Sequence, residues 1–180
     1  MYFIGEYKNG LRNGKGIQYY KNGNILFEGD WIDDKRDGFG KYIWENWKYY
    51  IGQFKNSLRN GKGIEYYSNG KIIYEGDWLN DKFEGNGKEF FEDGEYYIGQ
   101  YKNGLRNGKG IEYYSNGNIK YEGDYINDER EGNGKYYWKN GEYYIGQFKN
   151  GLSHGKGIEY HANGNIKYEG DWINDKFVGN

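Results

Sequence analysis

An all-β chain of tandem β-hairpins, without helix, is the fold class this sequence predicts. Three observations carry that expectation. First, a glycine two residues after an aromatic recurs at Gly5, Gly29, Gly52, Gly76, Gly99, Gly123, Gly146 and Gly170. The spacings alternate between 24 and 23 residues, so the true period is a pair of units, 47 residues long. A fixed period of this length signals a repeat architecture. Second, each of these glycines is followed two residues later by another aromatic: Tyr7, Trp31, Phe54, Trp78, Tyr101, Tyr125, Phe148 and Trp172. Aromatic, x, Gly, x, aromatic is a period-two pattern, which puts both rings and the glycine on one face of a strand. Third, no apolar residues recur at 3.6 spacing over 11 or more residues, so nothing predicts a helix.

Each unit contains two short stretches. In the unit beginning at Tyr50, the first runs from Tyr50 to Phe54. The second begins at the pair Gly61 and Gly63 and ends on Tyr66 and Tyr67. The next unit repeats this with Tyr74 to Trp78, then Gly85 and Gly87, then Phe90 and Phe91. Asn-Gly or Asp-Gly follows at Asn22-Gly23, Asn69-Gly70, Asp93-Gly94, Asn116-Gly117, Asn140-Gly141 and Asn163-Gly164. These residues tolerate the positive φ of tight hairpin turns. Asn46-Trp47 departs from the pattern, and a distorted turn is expected there. Glycine inside a strand normally weakens it. Its recurrence between rings is read as space for a ring of a neighbouring unit to lie flat on the backbone, and the Gly-x-Gly pairs are read the same way. The eight units begin near residues 3, 27, 50, 74, 97, 121, 144 and 168, the last is incomplete, and the whole, 1–180, is expected to be one domain.

The 32 glycines and the low hydrophobic content would ordinarily argue for disorder. Aromatic residues make up 21% of the chain and keep a fixed phase with the glycines, which points instead to an ordered fold with a thin aromatic core. Tyrosine, present 23 times, suits such a core because its ring can be buried while its hydroxyl reaches water or backbone. A net charge of −2 excludes a generally basic nucleic-acid binder. There is no cysteine, hence no disulfide or thiolate chemistry. No signal-peptide pattern precedes the first repeat, and no apolar run approaches the roughly 20 residues of a membrane span. A cytoplasmic protein is the expectation.

The pattern of Tyr-x-Gly-x-aromatic, a loop, Gly-x-Gly and an aromatic before a Gly turn resembles the MORN repeat. The resemblance covers essentially the whole chain, from Phe3, Gly5 and Tyr7 to Tyr168, Gly170 and Trp172, and the odd units resemble a variant form of the repeat. It implies one elongated, twisted antiparallel sheet of stacked hairpins with a groove. At about 4.8 Å per strand, eight such units would extend on the order of 75 Å. It further implies a structural scaffold, a dimerisation module, or a ciliary or cortical cytoskeletal component, with membrane-lipid binding and service to a separate catalytic domain as alternatives.

The two unit types differ in charge. Odd loops are basic (Lys8, Arg12, Lys15; Lys55, Arg59, Lys62; Lys102, Arg106, Lys109; Lys149, Lys156), and even loops are acid-rich (Asp30, Asp33, Asp34, Asp37; Asp77, Asp81, Glu84; Asp124, Asp128, Glu129, Glu131; Asp171, Asp175). Mutual neutralisation is one reading and a register code for a partner the other. Either weakens the lipid alternative, because an anionic membrane surface favours a continuous basic patch. The spacing of Asp30, Asp33, Asp34 and Asp37 fits no EF-hand loop, so no metal is expected. His154 stands in the slot of Asn13, Asn60 and Asn107, and His161 in that of Tyr20, Tyr67 and Tyr114. Both read as tolerated substitutions. The Gly-x-Gly pairs precede no helix, so no nucleotide loop is implied. Neither an enzyme nor a cofactor is expected. Protein partners are, through open strand edges, a homodimer contact or a groove. The row Tyr19, Tyr66, Tyr113 and Tyr160 is the candidate groove, with cross-strand packing as the alternative.

Overall fold

The computed structural model describes residues 1–179. All regular structure among them is β, in sixteen strands. They fall into two compact units, one ending at Glu89 and one beginning at Phe90. The first contains β1 (Tyr2–Lys8), β2 (Leu11–Tyr19), β3 (Ile25–Ile32), β4 (Lys35–Ile43), β5 (Tyr49–Lys55), β6 (Leu58–Tyr66), β7 (Ile72–Leu79) and most of β8 (Lys82–Phe90). The second contains β9 (Tyr96–Lys102), β10 (Leu105–Tyr113), β11 (Ile119–Ile126), β12 (Glu129–Tyr137), β13 (Tyr143–Lys149), β14 (Leu152–Tyr160), β15 (Ile166–Ile173) and β16 (Lys176–Gly179). Within each unit, neighbouring strands pair antiparallel. The expected all-β hairpin array without helix is what the chain forms.

The second strand of every hairpin begins earlier than the sequence pattern suggests. Leu58–Tyr66 starts three residues before Gly61, because a two-residue turn, Asn56-Ser57, reverses the chain directly after β5. Asn56 and Ser57 have φ of 50° and 70°, the all-positive geometry that matches the twist of paired strands. Asp33-Asp34, Asn80-Asp81 and Asn103-Gly104 make the same turn. Asparagine and aspartate stand where that conformation costs them least.

The longer connections between hairpins are also uniform. The Gly23 N–H donates to the Tyr20 carbonyl at 3.1 Å, and the Asn24 N–H donates to Asn22 Oδ1 at 3.0 Å. Contrary to expectation, the turn at Asn46-Trp47 is not distorted. The Trp47 N–H donates to the Trp44 carbonyl at 2.9 Å, and the Lys48 N–H donates to Asn46 Oδ1 at 3.2 Å. The flanking ladder dictates the turn, and Trp47 is held at a φ of 65° with its indole exposed. Left-handed backbone costs a residue with a Cβ on the order of 1 kcal/mol. Trp47→Gly is therefore expected to stabilise the fold by about 1 kcal/mol, read as a higher denaturant midpoint at unchanged slope.

The two glycines of each Gly-x-Gly pair do different work, which the sequence reading merged. Between Gly52↔Gly63 and Phe54↔Arg59, β6 carries extra residues opposite Gln53, and the ladder bulges. Gly61 lies in that bulge at a φ of 95°. The bulge frees a backbone N–H, and the residue between the repeat glycine and its second aromatic captures it. The Lys109 N–H donates to Gln100 Oε1 at 2.9 Å, Lys156 N–H to Gln147 Oε1 at 3.0 Å, and Phe39 N–H to Asp30 Oδ2 at 2.9 Å. The second glycine supplies space. A Cβ on Gly63 would first meet the Tyr50 hydroxyl and ring, and one on Gly52 would meet Tyr50 and the Gly63 Cα. The covering ring thus belongs to the same hairpin, not to a neighbouring unit as expected, because a side chain two residues upstream on the same face already reaches that floor.

These rings form the core. Tyr50, Tyr74, Tyr97, Tyr121 and Phe27 have no exposed surface. Tyr50 meets Phe54 edge to face at 5.2 Å and Trp78 at 5.2 Å. Their polar ends are satisfied: the Tyr50 hydroxyl donates to the Gln53 carbonyl at 3.1 Å, and Trp78 Nε1 to the Gly63 carbonyl at 3.2 Å. The sheet thus covers one face with its own flat rings, where most sheets need a second layer.

Burial raises these phenols, taking Tyr97 and Tyr144 from 10.0 to about 12. A phenol raised in the folded state keeps a proton that the unfolded chain would lose above its ordinary value. The stability it contributes is whole below pH 10 and declines as pH climbs through 12. Alkaline titration is expected to show tyrosinate absorbance rising cooperatively with loss of β-sheet circular dichroism. A smooth titration with the sheet intact would contradict it.

Candidate functional site

The sheet presents two unlike faces, and the register assigns each side chain. On the ring face, Tyr50 lies opposite Glu65 and Phe54 opposite Arg59. The arginines of the basic loops are not loose solvated charges. Arg59 Cζ sits 4.0 Å from the Trp78 ring centroid, and Arg12 Cζ sits 4.2 Å from that of Trp31. Arg36 lies 4.8 Å from Tyr42, and Arg130 lies 4.9 Å from both Tyr121 and Tyr136. Each such contact adds cation–π attraction to apolar cover for the core. Burial works against the charge on Glu112, but Arg130 and Arg106 outweigh it and hold the carboxyl below its usual range.

The opposite face carries different rows. In each odd hairpin two tyrosines pair across the strands, and two isoleucines pair beside them: Tyr49↔Tyr66 with Ile51↔Ile64, and Tyr143↔Tyr160 with Ile145↔Ile158. The tyrosine rings stack nearly parallel. Tyr2–Tyr19, Tyr49–Tyr66 and Tyr96–Tyr113 have centroids 4.5 Å apart, and Tyr143–Tyr160 4.6 Å. In even hairpins, opposed Glu–Lys pairs occupy this face, as in Glu28↔Lys41, Glu75↔Lys88 and Glu122↔Lys135. Ile4, Ile98 and Ile145 are 60%, 41% and 42% exposed. A shallow depression at the start of the chain is floored by Gly16, Gly29 and Gly40 and walled by Ile4, Ile17 and Phe39.

The structure therefore places Tyr19 and Tyr66 on one face of the first unit, and Tyr113 and Tyr160 on one face of the second, each stacked on a partner the sequence reading did not name. The neighbour of each turns away. Tyr20 donates its hydroxyl to the Ile43 carbonyl at 2.8 Å, and Tyr114 donates to that of Tyr137 at 2.7 Å. Among the repeat aromatics, Trp31, Phe54, Trp78, Tyr101, Tyr125, Phe148 and Trp172 are buried, while Tyr7, on β1, is 59% exposed. The alternating charges resolve into pairs: Lys15–Asp30, Lys62–Asp77, Lys109–Asp124 and Lys156–Asp171 at 2.5–2.8 Å. Asp34, Asp81 and Asp128 hold Arg12, Arg59 and Arg106. The four aspartates weighed for metal binding serve separate partners: Asp33 accepts from the Asn13 side-chain amide, Asp34 from Arg12, Asp30 from the Phe39 N–H and Asp37 from the Asn56 N–H. His161 Nδ1 lies 3.3 Å from Glu142 Oε1, and His154 Nδ1 is buried without a partner.

The arginine row was the feature sequence reasoning missed. Its signal was present, since Leu-Arg-Asn-Gly recurs at residues 11–14, 58–61 and 105–108 and becomes Leu-Ser-His-Gly at 152–155.

Eight consecutive matches to the family model described as MORN repeat cover residues 3–25, 27–49, 50–72, 74–96, 97–119, 121–143, 144–166 and 168–180. The chain belongs to the MORN-repeat family. MORN repeat-containing protein 3 of Xenopus laevis is 45% identical over 40 residues, which is 22% of this chain and 17% of that protein. The match thus spans less than a fifth of that relative's length. A crystal structure of a protein of unknown function from Bacteroides caccae aligns over 87% of this chain and 59% of its own, at 13% identity and a TM-score of 0.21. A TM-score so low carries no argument. The MORN repeats of this chain account for every hairpin in both units, and the two faces described above are properties of those repeats.

Proposed function

We propose that this MORN-repeat chain is a non-catalytic scaffold that joins or spaces protein partners through the face carrying the Tyr–Tyr and Ile–Ile pairs. One observation carries the reading: the same Tyr–Tyr and Ile–Ile pairs recur every 47 residues on the face opposite the ring core, where Ile4, Ile98 and Ile145 are exposed. A face outside the ring core that exposes isoleucine at the first, third and fourth odd hairpins, as Ile4, Ile98 and Ile145, suits an interface anchored by apolar and aromatic side chains. A cortical or ciliary cytoskeletal assembly is the setting the family resemblance suggests. The lipid alternative is disfavoured because the lysines beside this face are matched by aspartate or glutamate within the sheet.

Native crosslinking and pull-down test the proposal, with wild type compared against Ile98→Lys and Ile145→Lys. Both positions are exposed, so folding should survive. The wild type is expected to retrieve protein partners or itself, and the variants to lose them. A monomer that retrieves nothing, or variants that retrieve as well as wild type, would sink the idea. Flotation with anionic vesicles is the lipid arm. Binding that rises with anionic lipid and falls with salt would favour the membrane reading instead.

A further inference from the structure

The fourth odd hairpin lacks its arginine, and the space is left open. In the second odd hairpin, Arg59 lies over Trp78 at 4.0 Å, Trp44 at 5.5 Å and Tyr50 at 5.7 Å. Its guanidinium donates from Nη1 to Glu65 Oε2 at 2.8 Å, from Nε to Asp81 Oδ1 at 3.1 Å, and from Nη2 to the Asp81 carbonyl at 3.0 Å. Every one of these partners recurs two periods later, as Trp172, Trp138, Tyr144, Glu159 and Asp175. Only the arginine is replaced, by Ser153.

The backbone frame is unchanged by the replacement. The Ser153 N–H donates to Asp175 Oδ1 at 2.7 Å, as Arg59 N–H does to Asp81 Oδ1 at 2.8 Å. The Asp175 N–H donates to the Ser153 carbonyl at 3.1 Å, as Asp81 N–H does to that of Arg59 at 3.0 Å. What differs is a cavity of about 340 Å³ lined by these same residues. That volume lies at the small end of ligand pockets. Its rings and carboxylates are those that hold a guanidinium elsewhere in the chain.

Two cations stand near, and neither closes the site. Arg130 lines the cavity, 4.9 Å from Tyr136. Arg36 stands likewise, 4.8 Å from Tyr42, beside an occupied Arg59 site, so the frame accommodates a second guanidinium. Lys167 reaches Glu159 Oε1 at 2.9 Å and Glu142 at 3.3 Å, and it is not among the lining residues. An ammonium at one carboxylate oxygen does not reproduce a planar fork stacked on rings.

We infer that the cavity beside Ser153 is a receptor site for an arginine side chain of a protein partner, held as Arg59 is held within the chain. This names a chemistry for the partner and rests on the scaffold reading, but it is tested without the partner. The probe is N-acetyl-arginine amide, titrated into the full chain and followed by tryptophan fluorescence and by NMR of the indole N–H groups. Saturable binding at roughly millimolar concentration is expected for so small a ligand, with N-acetyl-lysine amide about tenfold weaker. Ser153→Arg should fill the site from within and abolish binding. Glu159→Gln, which keeps the walls, should weaken it about tenfold, and it stands as the independent variant if Ser153→Arg fails to fold. Absence of saturation, equal binding of the lysine probe, or binding that survives whichever variants fold would overturn the inference. Such a failure would leave the isoleucine face untouched. Loss of partner capture on Ile98→Lys with the arginine probe still bound would separate the two readings in the other direction.

Discussion

Gly52→Ala is expected to destabilise the fold by roughly 3 kcal/mol or more, at the upper end of what overpacking costs. A Cβ on Gly52 would stand 2.5 Å from the Gly63 Cα on the paired strand, and also within the Tyr50 hydroxyl. The hydroxyl could swing aside, although its hydrogen bond to the Gln53 carbonyl would break. The Cα cannot, because the two glycines face each other in the ladder. Gly63→Ala differs, since all three nearest obstacles belong to the Tyr50 side chain. Combined with Tyr50→Ala, Gly63→Ala should cost much less than it does alone, while Gly52→Ala should keep most of its penalty. Chemical denaturation of the three single and two double variants reads this directly. Equal rescue of both alanines would show that the ring, rather than the backbone, sets the limit at each.

Trp78→Ala should cost about 3–5 kcal/mol, the range for deleting a large buried aromatic. Three interactions are lost at once. The indole meets Tyr50 at 5.2 Å and Tyr74 at 5.2 Å, joining rings of successive hairpins. It donates to the Gly63 carbonyl at 3.2 Å. It also carries the Arg59 guanidinium, whose partner Glu65 would then be held by a less anchored charge. Trp78→Phe retains the ring contacts and loses the N–H, so it should recover most of the loss. The measurement is the same denaturation midpoint. A Trp78→Phe variant as unstable as Trp78→Ala would shift the weight from packing to the hydrogen bond.

The strand pattern was legible because period-two alternation is a local property, and the eight glycines stated it repeatedly. The hairpin boundaries were less so. Residues such as Leu58, Arg59 and Asn60 look like loop by composition, yet Asn56-Ser57 already turns the chain, and a polar side chain sits comfortably in a strand with one open face. The distorted turn expected at Trp47 did not occur, since pairing on both sides outweighs one unfavourable φ. The ring that covers Gly52 was assigned to the wrong unit because spacing gives a face, not a side-chain direction. The arginines were read as charge alone. A residue that is both cation and flat apolar cover shows its second role only when a tryptophan is seen beneath it. The tyrosine row was placed on a face by its spacing, whereas its stacking partners Tyr2, Tyr49, Tyr96 and Tyr143 required the register.

The cross-strand ion pairs fix how this protein can change length. Lys15, Lys62, Lys109 and Lys156 each face an aspartate of the following even hairpin, and Arg12, Arg59 and Arg106 each reach the turn of that same hairpin. Excising one hairpin sets two odd or two even hairpins side by side and breaks these pairs: the lysine then meets Gln53, Gln100 or Gln147, or the aspartate meets Phe39, Asn86 or Asn133. Excising two restores every neighbour. A deletion of 47 codons should therefore cost less stability than one of 23 or 24, since only the shorter one breaks the pairing of neighbouring hairpins.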